Sequence, residues 1–366
     1  LFANGASTLR ERCKKEITRM KALIFHEARR IVVEDRDDPT PETGEVILRT
    51  DAAGICASDL RVYRGEKYAA PGVIPGHEVT GTVSAVGAGV DSLAEGDRVA
   101  VYPIVACGFC DFCRRGLRNR CTSRRTLGYE LDGGIAEYLR IPAPIVGQGQ
   151  LMPVPDGVPA ERAAMTEPTA CVLNSFESCR FRAGASMAII GAGPMGLSHV
   201  ILARALGAGP VIVAEPVESR RQRALELGAT AVCGGGPDEI TAAVMDGTRG
   251  AGADVVIVSV GLDGLTELAL PITAKQGAIN LFAGFPPKTT ASLDVNFLHY
   301  SEILLTGSQN ATADQFRRTA QLMPALGGLD SLTTHRFDMT NADGAYTVRE
   351  DPAALKTIVF PGGVPG

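Results

Sequence analysis

The first part of the chain, from Met20 to about Leu151, alternates short apolar runs with turn-forming glycine, proline and aspartate residues. The clearest runs span residues 31–33, 45–48, 79–83 and 98–101, and residues 87–89 and 95–97 supply turns between them. Several short strands at close spacing, with no long helix, predict a small, partly closed β-barrel.

The pattern changes from about Cys171, where apolar strand-like runs alternate with helical stretches. The runs span residues 186–190, 211–214, 254–260, 278–282 and 303–305, with helical stretches at 195–206 and 218–227. Such alternation is typical of a parallel, doubly wound sheet covered by helices on both faces. A helical stretch at residues 315–326 and a last strand at 355–360 follow. The pattern therefore predicts an α/β protein.

Length and composition predict two globular domains. The chain has 366 residues, of which 45% are hydrophobic and 21% charged, and a chain of this length usually divides into two domains. The formal net charge of −5 opposes a nucleic-acid or anionic-membrane partner. No apolar run reaches the roughly 18 residues that a membrane span needs. Nine cysteines, most of them assigned below to metal sites, predict a reducing, cytoplasmic location.

Residues 1–19 do not continue this pattern. Their basic character comes from Arg10, Arg12, Lys14, Lys15 and Arg19. They lack the apolar core of a signal peptide, so we interpret them as a leader or a remnant upstream of a natural start at Met20. A targeting arm is the alternative.

Four cysteines fall at the spacing C-x2-C-x2-C-x7-C in one glycine- and arginine-rich segment: Cys107, Cys110, Cys113 and Cys121. Four thiolates closing on one ion form a tetrahedral structural zinc site, which would hold the lobe of residues 105–122 folded. An iron–sulfur cluster is an alternative, but its usual run has a shorter last spacing followed by proline. Disulfides are another, and they fit a small secreted domain better.

A glycine motif, Gly191-Ala192-Gly193-Pro194-Met195-Gly196, directly follows one predicted strand and begins a predicted helix. The glycines allow a tight turn and a close backbone approach, and the helix N-terminus attracts a pyrophosphate. Glu215 ends the next strand, where a carboxylate would bind the ribose hydroxyls and repel a 2′-phosphate. The motif predicts NAD binding. NADP is the alternative, in which Arg220 and Arg221 would surround the phosphate.

Further motifs follow one another in register with these two. They are Gly54-Ile55-Cys56-Ala57-Ser58-Asp59, Gly76-His77-Glu78, Asp132-Gly133-Gly134 and Glu167-Pro168. Together they resemble the zinc-containing medium-chain dehydrogenases, which include alcohol, threonine and polyol dehydrogenases. The resemblance covers roughly residues 20–361.

This resemblance implies an architecture of two domains with the active site in the cleft between them. Residues 20–170 and 309–366 would form a GroES-like β-barrel catalytic domain, which makes that domain discontinuous. Residues 171–308 would form a Rossmann domain with a six-stranded parallel sheet that binds NAD. The resemblance also implies a homo-oligomer, a dimer or a tetramer, acting on a small alcohol or polyol.

The resemblance implies a catalytic zinc bound by Cys56, His77 and Glu167. Such sulfur, nitrogen and oxygen ligands leave the fourth position open to water or substrate. Glu78 is an alternative ligand: strand alternation directs it away from His77, but a bulge could bring it back. Ser58 is the expected first acceptor of the alcohol proton. Arg220 matches a family position whose side chain covers the adenine.

Two positions depart from the family pattern. Arg61 stands where many relatives have the histidine that ends the proton relay, and a guanidinium cannot accept that proton. Gln309-Asn310 stand where polyol dehydrogenases have a Phe-Arg pair that binds substrate hydroxyls. The second departure weakens a specific sorbitol assignment, although an asparagine can still bond a hydroxyl.

The sequence therefore predicts a zinc-dependent enzyme that transfers hydride to NAD from a secondary alcohol of polyol, sugar-derived or amino-alcohol type. A threonine-type 3-dehydrogenase and an NADP-dependent alcohol dehydrogenase or reductase are alternatives. A sensor that binds zinc and a dinucleotide without turnover is the alternative outside the enzymes. The complete set of Cys56, Ser58, His77 and Glu167 opposes that last interpretation.

Overall fold

The computed structural model describes residues 18–348, 351 and 353–365. Its strands are β1 Arg19–Glu27, β2 Arg30–Asp37, β3 Val46–Ile55, β4 Glu78–Val86, β5 Arg98–Val101, β6 Ile104–Val105, β7 Arg125–Thr126, β8 Tyr138–Ile141, β9 Leu151–Pro153, β10 Met187–Ile190, β11 Val211–Ala214, β12 Ala231–Cys233, β13 Ala253–Val258, β14 Thr273–Leu281, β15 Leu304–Gly307, β16 Thr333–Phe337 and β17 Lys356–Val359. Its α-helices are α1 Ala57–Tyr63, α2 Asp111–Arg114, α3 Ala143–Gly147, α4 Ala160–Ala164, α5 Thr166–Ser178, α6 Pro194–Ala205, α7 Glu218–Glu226, α8 Pro237–Gly247, α9 Leu265–Ala269, α10 Val295–Tyr300, α11 Ala313–Leu322 and α12 Gly344–Thr347.

The predicted parallel sheet is confirmed. Its six strands lie in the order β12-β11-β10-β13-β14-β15, and every neighbouring pair is parallel. The central strands are apolar on both faces because helices cover both sides of the sheet. Residues of β10 divide between two core clusters, with Met187 and Ile189 in one and Ala188 and Ile190 in the other. The sequence pattern missed β12, a short edge strand that is only partly buried.

The β-rich part of the chain forms a sheet in the order β16-β17-β3-β4-β5-β9, with β8 also pairing with β3. All contacts among its N-terminal strands are antiparallel. The C-terminal strand β17 pairs antiparallel with β3, residue Ile358 opposite Gly54. The end of the chain thus returns to the first sheet, and the GroES-like plus Rossmann fold class is confirmed.

Helix α5 lies at the junction of the two sheets. It contacts β4 on one side and α6 and β15 on the other. Its first turn carries Glu167 next to Pro168, and a proline is tolerated there because the first helical N–H groups have no partner within the helix. The helix therefore places an acidic side chain where the two sheets meet.

One predicted helix needs a correction, and the predicted leader lies mostly outside the described residues. The helical stretch predicted at 315–326 ends as an α-helix at Leu322, and 3-10 turns continue it from Met323. Pro324 explains the change, because it removes an N–H and clashes with the preceding turn. Of the predicted leader at 1–19, residues 1–17 lie outside the described residues, and Arg19 begins β1. No helix of the described chain has the length and apolarity to cross a bilayer.

His199 is fully buried where α5 packs on α6. Its Nδ1 lies 2.7 Å from the carbonyl oxygen of Met195, so Nδ1 carries the proton, and its Nε2 lies 2.9 Å from Ser175 Oγ. The ring stacks on Phe176. Burial lowers the pKa of His199 from 6.5 to about 4, against a smaller opposing effect of the bond to Met195. Burial thus favours the neutral imidazole in the folded protein.

We predict that His199 makes the protein less stable in mild acid. Between pH 6.5 and about 4, His199 is protonated in the unfolded chain but neutral in the folded protein. The free energy of unfolding therefore falls by up to about 3 kcal/mol as the pH drops through this window. Urea titrations from pH 7.5 to 4.5 measure the free energy of unfolding of wild type and His199→Gln. The two free energies should converge as the pH approaches 4.5. The exposed His299→Gln is the control, and parallel curves for wild type and His199→Gln would contradict the prediction.

Candidate functional site

Cys56 lies where β3 ends and α1 begins, and it caps that helix. Its extended backbone (φ −90°, ψ 156°) is typical of a capping position. Asp59, in the first turn, accepts a hydrogen bond from the Cys56 N–H at 2.9 Å. An acid at this position also interacts favourably with the positive end of the helix dipole. The spacing of Cys56 and Asp59 thus fixes the backbone that carries the thiol.

The same carboxylate orients His77. Asp59 Oδ1 lies 3.1 Å from His77 Nδ1, which leaves Nε2 as the metal-binding nitrogen. Burial alone would lower the pKa of His77, but the Asp59 carboxylate and the neighbouring Cys56 thiol raise that pKa well above its usual value. Burial would raise the pKa of Asp59, and His77 and the Cys56 N–H reverse this and lower it. Asp59 therefore serves both candidate ligands.

The structure brings ligand atoms of Cys56, His77 and Glu78 within 4.8 Å of one another. Thiolate sulfur, imidazole nitrogen and carboxylate oxygen are the donors that zinc binds in proteins. Glu78 Oε1 is buried and has no hydrogen-bond partner among the described residues. A buried polar atom without a partner is unfavourable, and a cation would supply one. The donor set therefore fits a metal ion.

Lys356 on β17 forms an ion pair with Glu78 at the base of this group and also donates to the carbonyl oxygen of Ile55 at 3.3 Å. Lys356 and Glu78 are 4% and 1% exposed, so each charge depends on the other. Sequence reasoning missed Lys356. The signal was a single lysine in the mostly apolar predicted strand at 355–360, because a buried charge requires a partner.

Glu167 faces the same space from the start of α5 but is not part of the close three-residue group. Burial raises the pKa of Glu167, the charge of Glu78 raises it further, and His77 opposes them. Its Oε1 accepts a long, 3.5 Å hydrogen bond from the thiol of Cys171, whose own pKa burial raises well above the usual value. Glu167 makes no ion pair with any cation of the described chain.

Ser58, in the first turn of α1, forms a hydrogen bond with Tyr129, a residue that the sequence analysis did not identify. Its Oγ lies 2.6 Å from the hydroxyl of Tyr129, whose ring packs against His77. Burial raises the pKa of Tyr129 well above 10, so this phenol stays protonated. Gly133 lies close by, and a Cβ there would stand 2.1 Å from the carbonyl oxygen of Gly76. The glycine thus lets the segment after Tyr129 approach the loop before His77.

Arg61 and Gln309, which depart from the family pattern, contact residues outside the close group of Cys56, His77 and Glu78. Arg61 is exposed and its Nε lies 3.7 Å from Glu66 Oε2, an ion pair that contributes little at a surface. Gln309 is turned towards the cysteine lobe: Arg120 donates to its Oε1 at 3.0 Å and Asn119 to its carbonyl oxygen at 3.3 Å. The Gln309 side chain is therefore already engaged outside the candidate site.

The four lobe cysteines converge. Cys110 Sγ and Cys107 Sγ lie 3.5 Å and 3.9 Å from Cys113 Sγ, and the N–H of Cys107 points to Cys121 Sγ at 3.3 Å. Zinc–sulfur bonds of about 2.3 Å place tetrahedral sulfurs about 3.8 Å apart, so the spacing fits one ion. Backbone N–H donors lower the pKa of Cys110 to about 6 and lower that of Cys107. The described cysteines form no disulfide.

The predicted nucleotide site is a cavity of about 560 Å³ at the carboxyl end of β10 and β11. Gly191, Gly193, Glu215 and Arg220 line it, and Pro194 and Met195 begin α6 directly behind Gly193. Gly191 has φ +99°, and a Cβ on Gly196 would stand 1.8 Å from the Gly191 carbonyl oxygen. Both positions therefore need glycine.

Glu215 is 4% exposed and is held by backbone on both sides. Its Oε2 accepts from the Ala192 N–H at 2.8 Å and its Oε1 from the Val217 N–H at 3.0 Å. Arg221 donates to the carbonyl oxygens of Glu215 and Pro216 and pairs with Glu218. The carboxylate is thus fixed at the cavity wall, while Arg221 is engaged with the backbone before α7 and with Glu218.

Comparison with known proteins gives the same picture. Residues 42–156 match the family model "Alcohol dehydrogenase GroES-like domain" and residues 194–325 match "Zinc-binding dehydrogenase". The chain is 32% identical to an L-threonine 3-dehydrogenase of Pyrococcus horikoshii over 82% of this chain and 86% of that protein. It is 32% identical to a sorbitol dehydrogenase of Bacillus subtilis over 93% and 97%. A zinc-binding dehydrogenase structure from Sinorhizobium meliloti, bound to NADP, superposes with a TM-score of 0.86 at 28% identity over 94% and 100%.

The Glu78–Lys356 pair leads to a stability prediction. Lys356→Met should destabilise the metal-free protein by about 3–5 kcal/mol, because it leaves the Glu78 carboxylate buried without a partner. Adding Glu78→Gln to Lys356→Met should restore part of that loss, and Lys356→Arg, which keeps the charge, should lose least. Urea unfolding of the metal-free proteins measures the three values. A loss below about 1 kcal/mol in Lys356→Met would show that the pair does not carry this part of the fold.

Proposed function

Because the chain belongs to the zinc-containing medium-chain dehydrogenase family, we propose that it oxidises a secondary alcohol with zinc and NAD. It is an oxidoreductase of that family. The convergence of Cys56, His77 and Glu78 at the junction of the two sheets is the observation that supports this activity. The substrate class that we propose is a polyol, a sugar-derived alcohol or an amino alcohol.

We assign the catalytic metal to Cys56, His77 and Glu167, with Glu78 beside them. Distance alone favours Glu78, whose free oxygen is near the other two ligands. Charge favours Glu167, because Lys356 already compensates Glu78 whereas Glu167 makes no ion pair with a described cation. A thiolate and an uncompensated carboxylate together neutralise a divalent ion, which removes the cost of burying that carboxylate.

The protein's own residues then have separate tasks. Asp59 orients His77 and holds the Cys56 backbone, and Lys356 fixes Glu78. Zinc bound here would lower the pKa of the alcohol, and the nicotinamide ring would accept its hydride. Ser58 Oγ accepts the alcohol proton and passes it to solvent, with Tyr129 OH holding the serine hydroxyl in place. Arg61 takes no proton in this scheme because it stays charged.

We assign the catalytic domain to residues 20–170 and 309–366 and the nucleotide-binding domain to residues 171–308. The pairing of β17 with β3 supports the return of the C-terminal segment. We assign a second, structural zinc to Cys107, Cys110, Cys113 and Cys121. The spacing of these cysteines and the convergence of their sulfur atoms support this assignment. This zinc would stabilise the lobe that holds Gln309.

NAD is the cofactor that we propose, on the strength of Glu215. A fixed carboxylate at the cavity wall can accept from ribose hydroxyls and repels a 2′-phosphate. Arg221 is bound to the carbonyl oxygens of Glu215 and Pro216 and to Glu218, and Arg220 lines the cavity. One similar structure is bound to NADP, and kinetics with both cofactors distinguish the two.

The general activity is tested with a panel of polyols, sugar alcohols and amino alcohols, followed at the NADH absorbance with zinc per chain measured in parallel. Zinc-dependent turnover of at least one secondary alcohol is expected. Bound zinc and cofactor without turnover of any of them would favour a sensor instead.

We predict that the protein binds two zinc ions and that the two sites are separable. Cys110→Ser should lose the lobe zinc and lower the thermal midpoint while the second zinc remains, because the lobe has little apolar core. Cys56→Ala should lose the other zinc and turnover with little change in stability. Metal analysis of both variants, with Cys233→Ser as the control, measures this; one zinc or none in wild type would contradict it.

The same measurement decides between the two carboxylates. Glu167→Gln should lose the catalytic zinc, whereas Glu78→Gln should keep it with lower affinity. The reverse result would transfer the ligand role to Glu78.

We predict a preference for NAD that depends on Glu215. Glu215→Ala should lower kcat/KM for NAD by about 10- to 100-fold, because charged hydrogen bonds to hydroxyls contribute about 1.5–3 kcal/mol. The value for NADP should change less, because the repulsion of its phosphate disappears at the same time. Steady-state kinetics with both cofactors measure the ratio. An equal or higher kcat/KM with NADP in wild type would refute the assignment.

A further inference from the structure

Lys67 lies on the loop after α1 and is exposed to solvent. Its Nζ stands 3.5 Å from the centre of the Tyr129 ring. The hydroxyl of that ring lies 2.6 Å from Ser58 Oγ, and the ring also packs against His77. Tyr129 therefore joins the ammonium group of Lys67 to the residues proposed to handle the alcohol.

The Lys67 ammonium has an aromatic face but no anionic partner. It forms no hydrogen bond or ion pair with any residue in the described ranges, although an ammonium has three donors. Glu130 is near, but its Oε2 accepts from the Thr126 N–H at 2.9 Å. Asp59 is also near, but it is buried and engaged with Cys56 and His77.

The charged groups around Lys67 do not fully compensate its ammonium group. Lys67 is exposed, and partial shielding of its ammonium group from water lowers the pKa of Lys67, while the charges of Asp59, Cys56 and Glu130 raise it by less. Arg124 lowers the pKa further, and this guanidinium is itself bound to the carbonyl oxygen of Asn119 at 2.7 Å. The face of Tyr129 thus carries an exposed ammonium group that an additional anion would stabilise.

We propose that Lys67 binds a carboxylate of the substrate, so that the enzyme acts on hydroxy acids in preference to neutral polyols. This inference rests on the proposed dehydrogenase function. The secondary alcohol would lose a hydride from its carbon to NAD+ and a proton from its oxygen, giving a ketone, and the carboxylate would remain unchanged. One compact cation suits a monoanion, whereas a phosphate dianion is usually bound by several donors or a guanidinium fork.

The test compares substrates that differ in charge. The probes are galactonate against galactitol and threonine against threonine amide, with a galactitol phosphate as the phosphate probe. We expect wild type to prefer each carboxylate. Lys67→Met should raise KM for the carboxylates by about 10- to 100-fold, the effect of one charge-assisted hydrogen bond, with kcat and the neutral probes changed by less than about twofold. Lys67→Arg should retain most of the preference, and the exposed Lys275→Met is the matched control.

Calorimetric binding of the same probes gives a readout that does not require turnover. The affinity for the carboxylate probes should be lower in Lys67→Met than in wild type. Added salt should weaken this affinity in wild type only, because salt screens the ion pair with Lys67. Equal carboxylate affinity in wild type and Lys67→Met would overturn the inference, as would a preference for the phosphate probe. Turnover of neutral alcohols with no charge preference would also overturn it while leaving the proposed function intact. Failure of the proposed function would instead appear as zinc-loaded protein that turns over none of the probes.

Discussion

The Asp59 carboxylate is the constraint on which the candidate metal site depends. One oxygen accepts the N–H of Cys56 and the other lies 3.1 Å from His77 Nδ1. Cys56 follows β3 and His77 precedes β4, so a single acid holds the ends of two paired strands together. Because Asp59 is buried, its charge requires both contacts, and the positions of the two candidate ligands are linked.

Buried charges tie the two ends of the chain to the same place. Lys356, near the C-terminus, neutralises Glu78 at the start of β4. The antiparallel pairing of β17 with β3 brings the lysine there. A pair of this kind adds little net stability over apolar residues, but it strongly disfavours any arrangement that separates its members. Its effect is to specify how the last strand docks, and with it one wall of the site.

The cysteine lobe is connected to the same junction through the segment that follows β15. Asn119 and Arg120 bind Gln309, and Tyr102 donates to the carbonyl oxygen of Ala311 at 2.8 Å. A lobe with little apolar core thereby contacts the chain that leaves the parallel sheet. Loss of its metal would loosen that segment as well as the lobe itself.

The sequence by itself predicted the central strands of both sheets, the glycine turn before α6, and the residue types of the two metal groups, since periodicity and motif spacing are local properties. It missed β12, Tyr129, Lys67 and Lys356. It also left open whether Glu78 or Glu167 stands nearer the metal. Those points depend on long-range contacts: the pairing of β17 with β3 brings Lys356 to Glu78, and Tyr129 meets Ser58, which lies 71 residues earlier in the chain. Only the tertiary structure decides which buried charges and hydroxyls meet, because their free energies depend on partners that lie far apart along the chain.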